Sequence, residues 1–327
     1  MTARPDAPPS RPGWRLSPED KPIVVAAGFV LVILAVGTAY TLATQGTATL
    51  LSPAYLLQQL QVGAFLGIVA AGMMLVILLG HIDLSVPWTL AAAAMMATAV
   101  GGPAAIPVGL AVGLVVGLVN GFGVAYLRIP SMIFTLGVNA VLRGLMVAHT
   151  GGFAPQTAAT PLMQWLAVGK VAGVPVALLV WAAVSLLVVA ILNRTALGRS
   201  IYAIGNREAA AYLSGVPTRR VLIASFALCG MAAGLAGTLL AGYSTKAYQG
   251  MGDAYLLPAI AAVVIGGANI LGGSGRYLGT LVGVILIVLL NSVLSIMQMP
   301  EAGRQVIYGL VIIGMLLVYG RGRKMTG

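Results

Sequence analysis

The sequence predicts an all-α polytopic membrane protein, with about ten transmembrane helices and both termini cytoplasmic. Three observations carry this. Hydrophobic residues make up 59% of the chain and charged residues 8%, with a mean hydropathy of +1.00. A soluble domain has about half apolar and about a quarter charged residues. The apolar residues fall into runs near the 20 or so needed to cross a bilayer. Finally, the charge is lopsided, with 18 Lys and Arg against 7 Asp and Glu and a net +11. A basic excess marks either a nucleic-acid footprint or the positive-inside bias of membrane loops. In a chain this apolar the second reading holds: membrane lipid is the expected surrounding and nucleic acid is not an expected partner.

The runs are 22–42, 57–79, 84–100, 104–127, 130–149, 174–192, 221–243, 254–271, 277–297 and 302–319. They divide the chain into an N-terminal tail (1–21), a transmembrane domain (22–320) and a C-terminal tail (321–327). The first run is about as long as a span and many others follow it, so it reads as a helix and not a cleaved leader. The second ends at "GHID". The third has Pro87 in its first turn, where proline is tolerated. The fourth carries Gly109, Gly113, Gly117 and Gly121 at a spacing of four, one smooth helix face for close packing. The fifth follows "RIP" and contains Thr135, Asn139 and Arg143. After the sixth comes a polar segment. The seventh holds Gly230, Gly234 and the lone Cys229, which reads as a small buried side chain. The eighth starts beside Asp253, a candidate first-turn cap. The ninth follows "GGSGR" and repeats the glycine spacing at Gly275, Gly279 and Gly283. The third and tenth are short.

Ten spans with the N-terminus inside place Arg4, Arg11, Arg15, Lys21, Arg128, Arg194, Arg199, Arg207, Arg219, Arg220, Arg276, Arg321, Arg323 and Lys324 in the cytoplasm. Only Lys170, Lys246 and Arg304 lie outside, and Arg143 sits within a span. That asymmetry fixes the predicted orientation.

Polar side chains near or within spans are His81, Asp83, Ser85, Asn120, Thr135, Asn139, Arg143, Ser225, Asp253, Asn269 and Asn291. A charge at a helix centre costs about 2.5–3.5 kcal/mol on insertion scales, so such groups face protein or water. They either bond across helices or line a path, and the sequence leaves both roles open. "LLGHIDLSVPWTL" and "VIGGANILGGSGRYLGTL" each pair an apolar run with a glycine-rich break and a new span. Paired breaks of this kind point to a repeat-built transporter.

Motifs for bond-making chemistry are missing from the sequence. There is no GxxxxGK[ST], "GGSGRYLG" fails the GxGxxG spacing, and neither GxSxG nor a Cys/His cluster with ligand spacing occurs. No enzyme activity and no cofactor are expected, so uphill movement of a solute would draw on an ion gradient or on a partner protein. The polar segment "GRSIYAIGNREAAAYLSGVPTRR" (198–220) bears on that choice. Asn206 is expected to cap a short helix from Arg207, with Glu208 in its first turn. Ala209, Tyr212, Leu213 and Val216 fall at helical spacing, and Gly215 and Pro217 stop the helix. About eight residues do not hold as an isolated helix, so the segment docks on the bundle, on another protein or on the membrane surface.

Four blocks, "GMMLVILLGHIDLSVPW", "IPSMIFTLGVNAVLRGL", "GRSIYAIGNREAAAYLSGV" and "GGSGRYLGTLVGVILIVLLNSVL", resemble in order and spacing the permease subunit of bacterial sugar ABC importers of the ribose, arabinose and xylose type. These belong to the larger sugar and branched-chain amino acid permease superfamily. The resemblance spans about 57–319 and implies a type II ABC importer-like bundle in the bacterial inner membrane. It also implies the partners: cytoplasmic ABC ATPase subunits, a periplasmic sugar-binding protein and a second permease subunit, identical or not. By resemblance, 194–220 is the segment the ATPase grips, with Gly198, Arg199, Ala203, Gly205, Asn206, Arg207, Glu208, Ala209, Leu213 and Gly215 as coupling residues. His81, Asp83, Ser85, Asn120, Thr135, Asn139, Arg143, Asn269 and Asn291 are the expected path residues. The family's common "GGIDLSVG" is "GHIDLSVP" here, so His81 and Pro87 leave the solute open. A nucleoside or branched-chain amino acid permease of the same fold, or an ion-coupled secondary transporter, are the alternatives.

Overall fold

A computed structural model describes residues 20–153 and 157–320. The N-terminal tail before residue 20 and the C-terminal tail 321–327 lie outside the described residues. The helices are α1 (Lys21–Gln45), α2 (Pro53–Ile77), α3 (Val86–Val100), α4 (Ala105–Ala125), α5 (Ser131–His149), α6 (Pro161–Val168), α7 (Val176–Arg194), α8 (Ala196–Asn206), α9 (Glu208–Leu213), α10 (Thr218–Tyr243), α11 (Leu256–Ile265), α12 (Tyr277–Ile296) and α13 (Glu301–Gly320). A two-stranded antiparallel hairpin, β1 (Lys170–Val171) and β2 (Val174–Pro175), joins α6 to α7.

Each of the ten apolar runs coincides with a helix. Among the described residues, seven helical stretches are long and apolar enough to cross a membrane. The helices α3 and α11 are shorter, at 15 and 10 residues. The run 254–271 is therefore not one continuous helix. Its helix stops at Ile265 after about 15 Å, half a bilayer core. A glycine-rich connection follows, in which Gly267, Gly272, Gly273 and Gly275 take the positive φ that side chains resist. The glycines are apolar enough to hide this stop from a hydropathy reading. Hydropathy also gave no sign of α6, which Thr160 caps by accepting a hydrogen bond from the Met163 N–H (3.3 Å).

Helix α2 is the axis of the bundle. Its membrane-length window is 83% buried, against 11% for α1 and for α5. It is enclosed by α7, α10, α11 and α12. An axial helix needs small residues wherever neighbours cross it. A Cβ at Gly67 would run into the Trp181 indole, and one at Gly72 would come within 2.9 Å of the Cys229 Cα.

The glycine stripe of α4 faces α10, the most extensive helix pairing in the molecule. A Cβ at Gly113 would meet the Gly230 carbonyl oxygen, one at Gly117 the Phe226 carbonyl oxygen, and one at Gly121 the Ile223 Cα at 2.6 Å. Gly230 and Gly234 return the contact against Gly113 and Gly109. The second stripe does the same between α12 and α11: Gly279 lies on Gly266 and Gly283 on Ala262. Both stripes bring main chains together, which is how helices associate where lipid removes the hydrophobic driving force.

The connections gather at two ends. At one, the Arg128 and Glu208 side chains pair (2.9 Å), Arg276 pairs with Asp20 (2.6 Å), and the Arg219 guanidinium lies 4.9 Å from the Tyr126 ring centroid. At the other, the Ala159 N–H donates to the Thr245 carbonyl (2.8 Å) and Gln249 Nε2 to Thr150 Oγ1 (2.8 Å).

Replacing Gly113 or Gly117 with valine should force α4 off α10. Overpacking costs about 1–3 kcal/mol even where side chains can shift, and here the obstacle is main chain. Gly137→Val on α5, where a Cβ meets nothing within 4 Å, should be neutral by comparison. Thermal unfolding of the purified chains in detergent compares them, and equal midpoints would refute the packing argument.

Candidate functional site

The connection between α2 and α3 carries "GHIDLS" and forms a buried polar knot. Asp83 is 1% exposed, and Ser85, Asn120 and Thr135 are 0% exposed. Asp83 Oδ1 accepts from the Ser85 N–H (2.9 Å), from Ser85 Oγ (2.6 Å) and from Asn120 Nδ2 (3.2 Å). Asn120 Nδ2 also donates to Ser85 Oγ (2.7 Å). The next turn is held from α5: the Leu84 N–H donates to Thr135 Oγ1 (2.9 Å) and the Trp88 N–H to Asn139 Oδ1 (3.3 Å). The Leu84 and Ser85 N–H groups just before α3, and the Trp88 N–H in its first turn, are thus satisfied by side chains of α5 or by the Asp83 carboxylate. His81 Nδ1 lies 3.2 Å from Ser131 Oγ at the start of α5. Burial pushes the His81 pKa below the ordinary histidine value, and Glu208 partly opposes this.

The polar segment 194–220 folds as two helices and not one. Asn206 was expected to open a helix, but it is the last residue of α8. Its amide donates to the Tyr202 carbonyl (2.9 Å) and to the Gly273 carbonyl (3.3 Å). Arg207 is the extended residue between the helices and occupies the N-cap of α9. The local capping rules fitted Asn206, but α8 begins earlier, at Ala196 under a Thr195 cap, and runs through it. Gly215 has the left-handed φ of +83° expected of a helix stop.

One side of this two-helix unit is keyed into the bundle. A Cβ at Gly205 would overlap the Leu78 carbonyl oxygen and reach within 2.5 Å of the Gly273 nitrogen. The Gly273 N–H donates to the Leu78 carbonyl (2.9 Å), and the Tyr202 hydroxyl donates to the Gly275 carbonyl (2.8 Å). The two glycine-rich breaks noted in the sequence therefore meet each other and the end of α8. Glu208, in the first turn of α9, pairs with Arg128 of the α4–α5 turn. The other side is open: Tyr212 is 66% and Leu213 84% exposed. Gly198 is buried against the end of α7, and Arg199, Ala209 and Gly215 are exposed or half-buried.

The nine expected path residues do not form one cluster. His81, Asp83, Ser85, Asn120, Thr135 and Asn139 come together in the knot, four of them enclosed. Arg143 is exposed on α5, with its guanidinium 5.9 Å from the Trp88 ring centroid. Asn269 lies in the α11–α12 connection, where its Oδ1 accepts from the Leu271 N–H (3.1 Å). Asn291 sits toward the far end of α12, bonded to Arg304 (2.8 Å). Asp253 opens a 3₁₀ turn before α11 and makes no side-chain capping bond. Burial raises its pKa above the ordinary carboxylate value, with Arg143 opposing. Sequence reasoning did not single out Arg128, Tyr202 or Gly273, whose side-chain bonds to Glu208, Gly275 and Asn206 span 67 to 80 residues. The left-handed φ of Arg128, +57°, marks a tight turn that "RIP" alone signalled. Among the described residues no group of His, Cys, Asp or Glu could hold a metal ion.

Comparison with known proteins gives a consistent picture. Residues 55–316 match the family described as branched-chain amino acid transport system / permease component. The ribose import permease protein RbsC of Escherichia coli (strain K12) is 37% identical over 271 residues, covering 80% of this chain and 84% of the relative. The Bacillus subtilis (strain 168) ribose import permease protein is 38% identical over 269 residues, with the same coverage. The autoinducer 2 import system permease protein LsrC of Klebsiella pneumoniae is 35% identical over 207 residues, 63% of this chain and 59% of the relative. No solved structure is a significant match.

Asp83→Ala should strand the Ser85 N–H and the Asn120 amide inside the protein, at about 1–3 kcal/mol for each unpaired group. Leu213→Ala on the open side of α9 should leave stability unchanged. Thermal unfolding of the two variants in detergent provides the check, and an undiminished midpoint for Asp83→Ala would show that the knot does not hold α3.

Proposed function

This chain belongs to the branched-chain amino acid transport system / permease component family, and on that footing we propose that it is the membrane-spanning permease subunit of an ATP-driven monosaccharide importer. It lies in the bacterial inner membrane and is not itself an enzyme; the ATPase is a separate subunit. The ribose named for two relatives supports a sugar as solute. The partners proposed are cytoplasmic ABC ATPases, a periplasmic sugar-binding protein and a second permease.

The observation that carries the reading is the two-sided unit α8–α9. Its inner side is keyed to both glycine-rich breaks and to the α4–α5 turn. Its outer side offers Tyr212 and Leu213 to solvent on a helix of six residues. A helix this short does not stand alone, and an apolar outer side at a basic end suits a protein partner's groove. An ATPase gripping it would move the Leu78–Gly273 junction and, through Glu208 and Arg128, the start of α5.

Helix α5 in turn suits a path. It is little buried, yet its open side carries Arg143 midway in the outer half, with Asn139 half-buried beside it. Lipid would charge about 2.5–3.5 kcal/mol for an arginine near the helix centre. Gly137 and Gly144 on the same helix have nothing within 4 Å of a Cβ, as do Gly28 of α1 and Gly309 and Gly314 of α13, whereas the glycines of α2, α4, α10 and α12 lie in close helix contacts. A second permease facing α5 across a watered path accounts for both features. The enclosed Asp83, Ser85, Asn120 and Thr135 then act by holding α3 against α4 and α5, and Asn139 and Arg143 by touching solute.

Reversing Arg128 to Glu or Glu208 to Arg should reduce ATPase co-purification and solute uptake several-fold, and the double reversal should restore much of both. The pair is exposed, so stability should barely change. Deleting 206–215 should abolish ATPase binding while the bundle still folds. An ATPase that binds the deleted chain normally would refute the coupling role.

A further inference from the structure

Helices α7 and α12 both pack on α2 and barely meet each other. At the basic end of the bundle a cleft of about 340 Å³ lies between them and α8. Its floor is the buried Tyr277, whose hydroxyl lies 2.8 Å from Ser185 Oγ of α7. Its walls are Leu192 of α7 and Leu278 of α12, and its polar groups are Asn193, Tyr202 and Arg276. The Tyr202 hydroxyl donates to the Gly275 carbonyl, and Arg276 pairs with Asp20. Arg194 follows Asn193 at the end of α7, and Arg199 lies one turn before Tyr202 on α8; both are exposed. Among the described residues, the segments that form the cleft thus carry three guanidinia and meet one carboxylate, Asp20. Away from this polar mouth the cleft borders apolar surface. Leu179 and Leu186 share the Asn193 face of α7 at a spacing of seven and are 44% and 70% exposed. Leu278, 60% exposed, begins a matching row on α12 that Ile285 continues.

Cations and an amide at the membrane surface, with apolar rows leading from them into the bilayer, match the layout of one kind of molecule. A phospholipid carries its phosphate at that depth and its acyl chains beneath it. Basic pockets between helices on the cytoplasmic side favour anionic headgroups. The planar guanidinium fork suits phosphate oxygens, and its five donors allow it to hold a carboxylate and a phosphate together. Free inorganic phosphate would use the same cations but would leave Leu186 and Leu278 without a role. The cleft falls within the range of about 300–1,000 Å³ usual for ligand sites, enough for a headgroup whose chains stay outside. We propose that the cleft between α7, α8 and α12 binds one anionic phospholipid of the inner leaflet, with its phosphate at Arg276 and Asn193 and its acyl chains along α7 and α12. The occupant would bridge two helices that otherwise meet at little more than the Ser185–Tyr277 contact, and would touch α8 at Tyr202. The proposal goes beyond the transport reading and requires nothing of the solute or of the ATPase.

The test is native mass spectrometry of the full-length chain in detergent, titrated with phosphatidylglycerol or phosphatidylcholine of the same acyl chains, without ATPase or ATP. One phosphatidylglycerol should stay bound per chain, about fivefold or more tighter than phosphatidylcholine. Arg276→Gln should remove most of that preference, and Leu278→Trp should fill the cleft and weaken both lipids. Arg219→Gln, on the same membrane surface but at the start of α10, should change neither. All three positions are exposed, so the bundle should form in each. Asn193→Leu leaves the Arg276–Asp20 pair intact and should also weaken phosphatidylglycerol, which keeps the test decisive if Arg276→Gln lowers the thermal midpoint. Excess inorganic phosphate should not displace the lipid. Displacement by phosphate would make this a free-anion site and overturn the proposal. So would equal retention of the two lipids, a preference that survives both Arg276→Gln and Asn193→Leu, or one lost equally with Arg219→Gln. None of these results would bear on transport.

Discussion

The architecture depends on main chains touching. In a bilayer, two apolar helix faces gain little by leaving lipid for each other, so association rests on close packing and on buried hydrogen bonds. This chain meets the first requirement with glycine. At the α4–α10 and α11–α12 crossings the space for a Cβ is filled by a partner's carbonyl or Cα. The axial helix α2 meets it with Gly63, Gly67 and Gly72. Bulk at any of these points would separate helices whose main chains pack directly on one another or on a neighbour's side chain.

The second requirement explains the knot. Membrane interiors accept irregular backbone only where protein satisfies it. The chain breaks between α2 and α3 and again between α11 and α12. At the first break Asp83, Thr135 and Asn139 accept from the freed N–H groups; at the second the Leu78 carbonyl accepts from the Gly273 N–H and the Asn206 amide donates to the Gly273 carbonyl. The polar residues of "GHIDLS" are thus the condition for a helix to restart in the bundle, and Asp83 is tolerable at 1% exposure because Ser85 and Asn120 converge on it.

What the sequence revealed follows from the range of each signal. Nine of the ten apolar runs and the α4 glycine stripe each follow one helix; of the second stripe Gly279 and Gly283 lie on α12 and Gly275 precedes it. Signals that follow one helix are legible locally. The early end of α11 was not, because "GGANILGGSG" is hydrophobic by composition while its glycines take conformations that end a helix. Asn206 satisfied the rules for a helix start, but its role is decided by Gly273, a residue close only in the fold. The same holds for Arg128 and Glu208. The polar residues were recognisable as a set, yet nothing local separates the enclosed Asn120 from the exposed Asn291.

These features together constrain how the proposed handle can act. Helices α2, α3, α4 and α10 are joined by main-chain contacts and by the knot, and such surfaces do not slide without losing the fit that holds them. Movement is easier where contact is through side chains or turns. Helix α5 meets the α2–α3 connection and α3 through Ser131, Thr135 and Asn139, meets α4 with the Phe134 ring at Gly123, and begins three residues after Arg128. The α11–α12 connection is a run of glycines pinned by Gly205 and Asn206. A displacement of α8–α9 would therefore reach the membrane at these two places before it strained the central four helices. One of them is the start of the helix whose open side carries Arg143, so the lever and the candidate path are linked by a single turn of chain.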